Sequence, residues 1–465
     1  MGKKKSQTLE KGSYLEFLKI AIPLILTTSS WSIQQFIDRM FLSWYSASSI
    51  AAATPAGTLN FTIISLFLGT IGYVSTFVAQ YYGAKKFDRI GPCIWQAIYI
   101  AVISWGFVAV FVFFSKAIFS FSGHNEVIRE QEVAYFNILC LGSGPIMMSA
   151  ALSGFYAGIG RTWPIMWVNL FATFVNIIFD IFLIFGVYIF PELGIVGAAI
   201  ATVISGVVNM ICYVAIIFRK KYNKKYRTLS GYRFDGELLM RIMKYGFPVG
   251  VQFFIDMFGF AIFLLLVGRL GIVSLAATNI AFNVEVIAFM PMIGSGIAVS
   301  MLVGRYLGEN RVDLAKKCTY SGFHLVFIYM FSISIFYFFT PEIFVIPFTF
   351  FSSDESYKEI FKLTVILLKF VAVYSVFDTF NIMFSSALKG AGDTKFVMYM
   401  IILLSFFIMI LPTYILIVIY KSSILTAWVA LTIYAVVLGL SFYLRFLSGK
   451  WESMRVIEHK AKSYL

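Results

Sequence analysis

Five acidic residues lie inside stretches that are otherwise apolar enough to cross a bilayer: Asp38, Asp180, Asp256, Glu285 and Asp378. An ionised side chain at the bilayer centre costs about 2.5–3.5 kcal/mol on insertion scales, so such acids face water-filled cavities, hold a cation or stay protonated. Their neighbours suit that work. Asn169, Asn176 and Asp180 are seven and four residues apart and share one helix face. Tyr374, Asp378 and Asn381 form a similar stripe, and Gln252 stands one turn before Asp256. Glu285 follows Asn279 and Asn283 and precedes Met290-Pro291, where proline removes a backbone hydrogen bond and kinks a helix. Carboxylate, amide, hydroxyl and carbonyl oxygens are what a hard cation such as sodium takes. A partly dehydrated carboxylate can equally carry a proton. Residue types alone leave both ions open.

Other chemistries lack their residues. The sequence has no GxxxxGK[ST] loop for ATP, no HExxH and no GxSxG. Its three histidines, His124, His324 and His459, are scattered; His324 is expected to be a buried, hydrogen-bonded residue. Cys93, Cys140, Cys212 and Cys318 form neither a CxxC nor a Cys/His cluster, which supports no disulfide framework and no metal site beyond sodium. We expect no catalytic residue, no cofactor and no enzyme. The net charge of +14 could suggest nucleic acid. Its placement argues otherwise: most Lys and Arg cluster in alternate gaps between apolar runs, the positive-inside pattern.

The elements that must position the acids are membrane helices. Hydrophobic residues make up 60% of the 465, charged ones 13%, and mean hydropathy is +0.85, against about 25% charged in soluble domains. Twelve helices are expected, at 14–43, 48–82, 92–118, 132–158, 163–188, 194–219, 238–268, 272–305, 319–342, 357–388, 395–419 and 423–447. The basic clusters Lys3-Lys4-Lys5, Lys85-Lys86-Arg89, Arg161, the run 219–244, 305–317, Lys389-Lys395 and the tail put both termini in the cytoplasm of a multi-pass inner-membrane protein. The most basic segment, 219–237, reads as a solvated connector near anionic lipid headgroups.

Two stretches about 225 residues apart say nearly the same thing. VAQYYGAKKFDRIGPC at 78–93 returns as VGRYLGENRVDLAKKC at 303–318, and Pro23, Gly69 and Ser75 return as Pro248, Gly294 and Ser300. GIGRT at 158–162 echoes GAGDT at 390–394. A duplicated half-protein is typical of transporters. The expectation is an all-α integral membrane protein with twelve transmembrane helices in two pseudo-symmetric six-helix bundles: residues 1–218, the linker 219–237, and residues 238–465. Six helices per half leave both repeats pointing the same way.

Together QYYGAKKFDR and its second copy, AGIGRTWPIMWVN, ALKGAGDTK and the placing of Asp38, Asp180, Asp256 and Asp378 resemble the multidrug and toxic compound extrusion (MATE) family over nearly the whole chain. The resemblance implies two six-helix lobes around a central cavity and drug export driven by sodium or proton gradients. It also implies residue roles. Asp38, Asn176, Asp180 and Thr202 look like the N-lobe cation site. Asp256, standing where one branch has Glu, looks with Tyr374 and Asp378 like the C-lobe site. Gln34, Asn169, Gln252, Asn283 and Glu285 are candidate cavity residues. Arg39 beside the helix-one acid, Trp31 at the repeat position of Asp256, and Glu285 as an extra acid depart from the family pattern.

The functional expectation is a secondary active multidrug exporter. It exchanges sodium ions or protons for amphipathic, often cationic, organic compounds by alternating access. Its partners are small organic substrates and membrane lipids, not nucleic acid, and a monomer is expected. The alternative is a flippase for a lipid or lipid-linked precursor, which calls for a basic rather than an acidic cavity. The repeat copies the loops and not the charges: Asp38 aligns with Phe263, Asp180 with Pro412 and Asp256 with Trp31.

Overall fold

The computed structural model describes residues 10–121, 123–349 and 355–458; the Lys3-Lys4-Lys5 run and His459 lie outside them. Every element among the described residues is helical. A bilayer interior offers the backbone no water, so a spanning segment must satisfy its own amides, as a helix does. The helices are α1 (Tyr14–Tyr45), α2 (Ala47–Gly72), α3 (Val74–Gly83), α4 (Ile90–Ser120), α5 (Glu126–Leu141), α6 (Ser143–Gly158), α7 (Trp163–Phe185), α8 (Ile195–Ile217) and α9 (Lys220–Tyr226). They continue as α10 (Gly236–Gly268), α11 (Ile272–Gly308), α12 (Val312–Phe339), α13 (Pro341–Thr349), α14 (Glu355–Ala391), α15 (Thr394–Leu404), α16 (Leu411–Tyr414) and α17 (Ile424–Leu447).

Helices α2 and α3, like α5 and α6, form one run broken by a single residue. Among the described residues eleven runs are long and apolar enough to cross a membrane. Helix α1, 32 residues long, makes twelve by length, but Thr27, Thr28, Ser29, Ser30, Gln34, Gln35, Asp38 and Arg39 make it less apolar than the eleven. The chain is an all-α, multi-pass membrane protein.

Three local expectations change. The run expected as a regular helix over 395–419 is wound as π-helix at Ser405–Ile410 and Ile415–Ile419. Pro412 lies between them; it lacks an N–H, and its ring crowds the preceding turn, which widens. The basic linker is more than a solvated connector. It holds α9, whose Tyr226 is buried edge-to-face against Phe155 at 5.4 Å, and Thr228, which donates to the Ile217 carbonyl at 3.1 Å. His324 is exposed rather than buried, and its Nδ1 meets the Tyr14 hydroxyl at 3.1 Å.

The helices gather into two compact units. One comprises Thr27–Ile262 and Thr394–Ile402; the other holds the chain through Leu26, Phe263–Asp393 and everything from Leu403. Helices α1, α10 and α15 therefore each contribute to both.

The sequence repeat is a structural repeat. Lys85 and Asn310, equivalent positions, both take the left-handed conformation, with φ of 59° and 58°. Each closes its helix with the same pair of reverse bonds. Lys86 N–H donates to Tyr81 O at 2.9 Å and Arg311 N–H to Tyr306 O at 2.8 Å; Lys85 and Asn310 N–H reach Tyr82 O and Leu307 O. This is the Schellman closure, which satisfies carbonyls the helix end leaves over. Close contacts repeat too. A Cβ on Gly69 would lie 2.8 Å from the Cα of Gly250, and one on Gly294 would lie 2.7 Å from the Cα of Ile25. In repeat coordinates these are one contact, with α10 against α2 in the first unit and α1 against α11 in the second.

The segments leading into α1 and α10 are anchored likewise. Ser321 donates to Gly12 O at 2.9 Å, Gly12 N–H donates to the Tyr306 hydroxyl at 3.1 Å, and that hydroxyl donates to Glu16. In the other unit Gln96, the repeat equivalent of Ser321, bonds Arg233 O at 3.1 Å and the Asp235 N–H at 3.3 Å.

Candidate functional site

In the first unit the acids converge. Helix α7 carries Asn169, Thr173, Asn176 and Asp180 at helical spacing, and Asn176 and Asp180 are fully buried. Helix α1 brings Gln34 and Asp38 one turn apart, and Asp38 is 6% exposed. The Asp38 and Asp180 carboxyls come within hydrogen-bonding reach of each other. Asn176 bridges them: with its amide nitrogen toward the acids it donates to Asp38 Oδ1 at 3.0 Å and Asp180 Oδ2 at 3.3 Å. The Gln34 amide lies 3.1 Å from that nitrogen, and its other end lies 3.3 Å from the Thr173 hydroxyl, which ties α7 to α1 a turn away. Asp180 Oδ1 is buried without a hydrogen-bond partner.

Two ionised carboxylates at such a separation repel strongly in a low-dielectric interior, and a proton or a metal cation between them removes the repulsion. All donors here are oxygens plus one reversible amide, a set suited to sodium or a proton. Among the described residues no three of His, Cys, Asp and Glu gather as a metal site. Thr202 is half-buried and turns its hydroxyl to the Ala198 carbonyl at 3.1 Å. Arg39 is exposed. Tyr135 on α5, which sequence reasoning missed, is buried within electrostatic reach of both acids. Nothing in the sequence around it marks it, because α5 is chosen by three-dimensional packing.

The second unit holds a different polar cluster. Tyr374 on α14, 4% exposed, donates its hydroxyl to Glu285 Oε2 on α11 at 2.6 Å. Asn381 donates to Asp378 Oδ1 at 3.4 Å, and Asp378 acts electrostatically on Glu285. The buried Ser375 hydroxyl, one turn before Asp378, has no partner. Trp428, fully buried on α17, stacks on Phe282 at 5.2 Å and lies 6.4 Å from the Tyr374 ring. Glu285, read from sequence as a cavity residue, here makes the short polar contact. Asn283 is exposed. Asp256 and Gln252 belong to the first unit, where both are half-buried and Gln252 Oε1 has no hydrogen-bond partner.

A family model described as MatE matches residues 23–182 and 248–415, two stretches that begin at the repeat-related Pro23 and Pro248. The chain belongs to the MatE family. Probable multidrug resistance protein NorM of Thermotoga maritima is 26% identical over 445 residues, covering 95% of this chain and 94% of that protein. Its counterpart in Bacillus cereus is 25% identical over 438 residues, covering 93% and 94%. Among solved structures, an outward-facing multidrug resistance MATE family transporter of the MOP superfamily superposes with a TM-score of 0.85 at 19% identity, over 95% of this chain and 97% of that one. A MOP superfamily transporter from Pyrococcus furiosus, described as having a binding pocket of reverse polarity, gives 0.86 at 19% identity, over 96% and 98%. The MatE match places the chain in that family, and the MATE structures share its fold.

Proposed function

We propose that this protein exports amphipathic, often cationic, organic compounds across the inner membrane in exchange for sodium ions or protons. One observation carries the reading: Asp38 and Asp180, from two helices of a membrane bundle, share Asn176 at 3.0 and 3.3 Å. Burying two like charges together is expensive unless a positive charge joins them. A cation that enters stabilises the arrangement in which the acids are close, and its differential affinity for the two access states supplies the coupling.

Asn176 suits either state. Its nitrogen end serves carboxylates without a cation, and its oxygen end joins them as a ligand when a cation is present. Tyr374, Asp378 and Glu285 form a second acidic locus. Gln34, Thr202, Gln252 and Asp256 line the route of substrate or ion within the first unit, and Asn283 shares α11 with Glu285 in the second. The chain works as a monomer with both termini cytoplasmic, and the linker 219–237 marks the joint between duplicated halves.

The test is efflux of a fluorescent organic cation from proteoliposomes under imposed sodium and proton gradients separately. Asp38→Asn and Asp180→Asn are expected to lose gradient-driven efflux while still inserting. Unchanged drive in the double variant would overturn the reading. Movement of a labelled lipid without any organic-cation efflux would favour a flippase instead.

A further inference from the structure

The acid pair is one end of a longer polar seam. Along α7 the residues Asp180, Asn176, Thr173 and Asn169 fall on one face, spanning about 16 Å at 1.5 Å per residue. Along α8, which follows α7 and packs on it, Thr202, Ser205, Asn209 and Tyr213 make a matching stripe. The far end of the seam is tightly wired. Asn169 Nδ2 donates to Ile165 O at 2.8 Å and to the Tyr213 hydroxyl at 2.9 Å. That fixes its amide, so its oxygen faces Asn209, whose Nδ2 donates to it at 3.2 Å. The arrangement leaves Asn209 Oδ1 buried with no hydrogen-bond partner. Tyr213, 1% exposed, accepts from Asn169 and keeps its own proton to give.

The seam thus has an unpartnered acceptor oxygen at each end: Asp180 Oδ1 at one, Asn209 Oδ1 at the other. A buried acceptor without a donor is costly, and a water or a cation along the seam would relieve both.

We propose that the seam conducts the coupling cation, and that Asn209 Oδ1, backed by Asn169 and Tyr213, is a second station for a partly hydrated monovalent cation. The cation passes there between the acid pair and the end of the unit where α7 begins and α8 finishes. The station carries no net charge, so it binds weakly and releases readily, as a transit site must. This inference rests on the acid pair being the coupling site.

The experiment uses the full chain in proteoliposomes with ethidium as probe, in two arms. One is a sodium gradient at fixed pH; the other is a pH gradient with choline in place of sodium. Cation binding is read separately, as the cation concentration giving half-maximal thermal stabilisation in detergent. Asn209→Ala and Tyr213→Phe are expected to slow gradient-driven efflux about tenfold in the arm of the true coupling ion. The binding midpoint should move less than about twofold, because the acids that dominate affinity are intact. Asn209→Ser, which restores an oxygen, should recover most of the rate.

Unchanged efflux in both arms overturns the proposal. So does a parallel fall of rate and binding, which would mark a helix-pairing role. Asp180→Asn runs alongside and is expected to abolish the cation-dependent stabilisation. If it keeps both stabilisation and gradient drive, the acid-pair reading fails and the seam falls with it. Normal efflux in Asn209→Ala with loss in Asp180→Asn removes the seam alone.

Discussion

The Tyr374–Glu285 bond of 2.6 Å shows how much depends on single buried partners. Tyr374→Phe leaves the Glu285 carboxylate without its phenol, and losing one partner of a buried polar pair costs about 1–3 kcal/mol. A lower thermal unfolding midpoint in detergent is therefore expected, with a smaller drop for Glu285→Gln, whose amide can still accept the phenol's proton. Equal midpoints for Tyr374→Phe and the parent chain would show the bond to be dispensable. At the first-unit site Asn176→Leu should act differently. It removes the bridge between two acids and is expected to abolish ion-driven efflux, as measured in the two gradient arms. Asp180, Asn176 and Asn169 were legible in the sequence because helical periodicity places residues four and seven apart on one face. Tyr135, Asn209 and Tyr213 were not, because their partners sit on other helices.

Helix ends and helix crossings carry the duplication. Lys85 holds a left-handed backbone at φ 59° where glycine would sit without strain. Lys85→Gly relieves a penalty of about 1–2 kcal/mol and gives back part of it as unfolded-chain entropy. A small rise in unfolding midpoint is expected, whereas Asn310→Val, at the equivalent position, should lower it. At the crossing of α2 and α10 a Cβ on Gly250 would lie 2.0 Å from Leu66 O, while one on Gly72 meets nothing within 4 Å. Gly250→Ala is thus expected to destabilise by about 1–3 kcal/mol through overpacking. Gly72→Ala should be neutral or stabilising through better helix propensity. Thermal melts of the pair check both.

Over the whole molecule, twelve long helices leave the linker and the loops between α7 and α8 as opposite reporters. Ser230 is exposed in the linker, and Ile189 is 92% exposed between α7 and α8. The native cysteines are buried, or half-buried at Cys212, so introduced thiols dominate labelling. Ser230→Cys is expected to react with an impermeant maleimide only after permeabilisation, and Ile189→Cys in intact cells. The reverse pattern would invert the topology.

The sequence by itself determined the membrane class, the twelve spans, the duplication and four residues of the α1–α7 polar cluster. These follow from composition and period, and a bilayer enforces both: apolar runs must be helices, and polar residues within them must share a face. Only the tertiary structure decided which acids meet. Asp38 joined Asp180 through Asn176, Glu285 paired with Tyr374, and Asp256 was placed in the first compact unit, whereas Tyr374 and Asp378 lie in the second. Contacts between helices depend on rotation and depth of each helix in the bundle, which side-chain packing over the whole unit sets and no local pattern encodes.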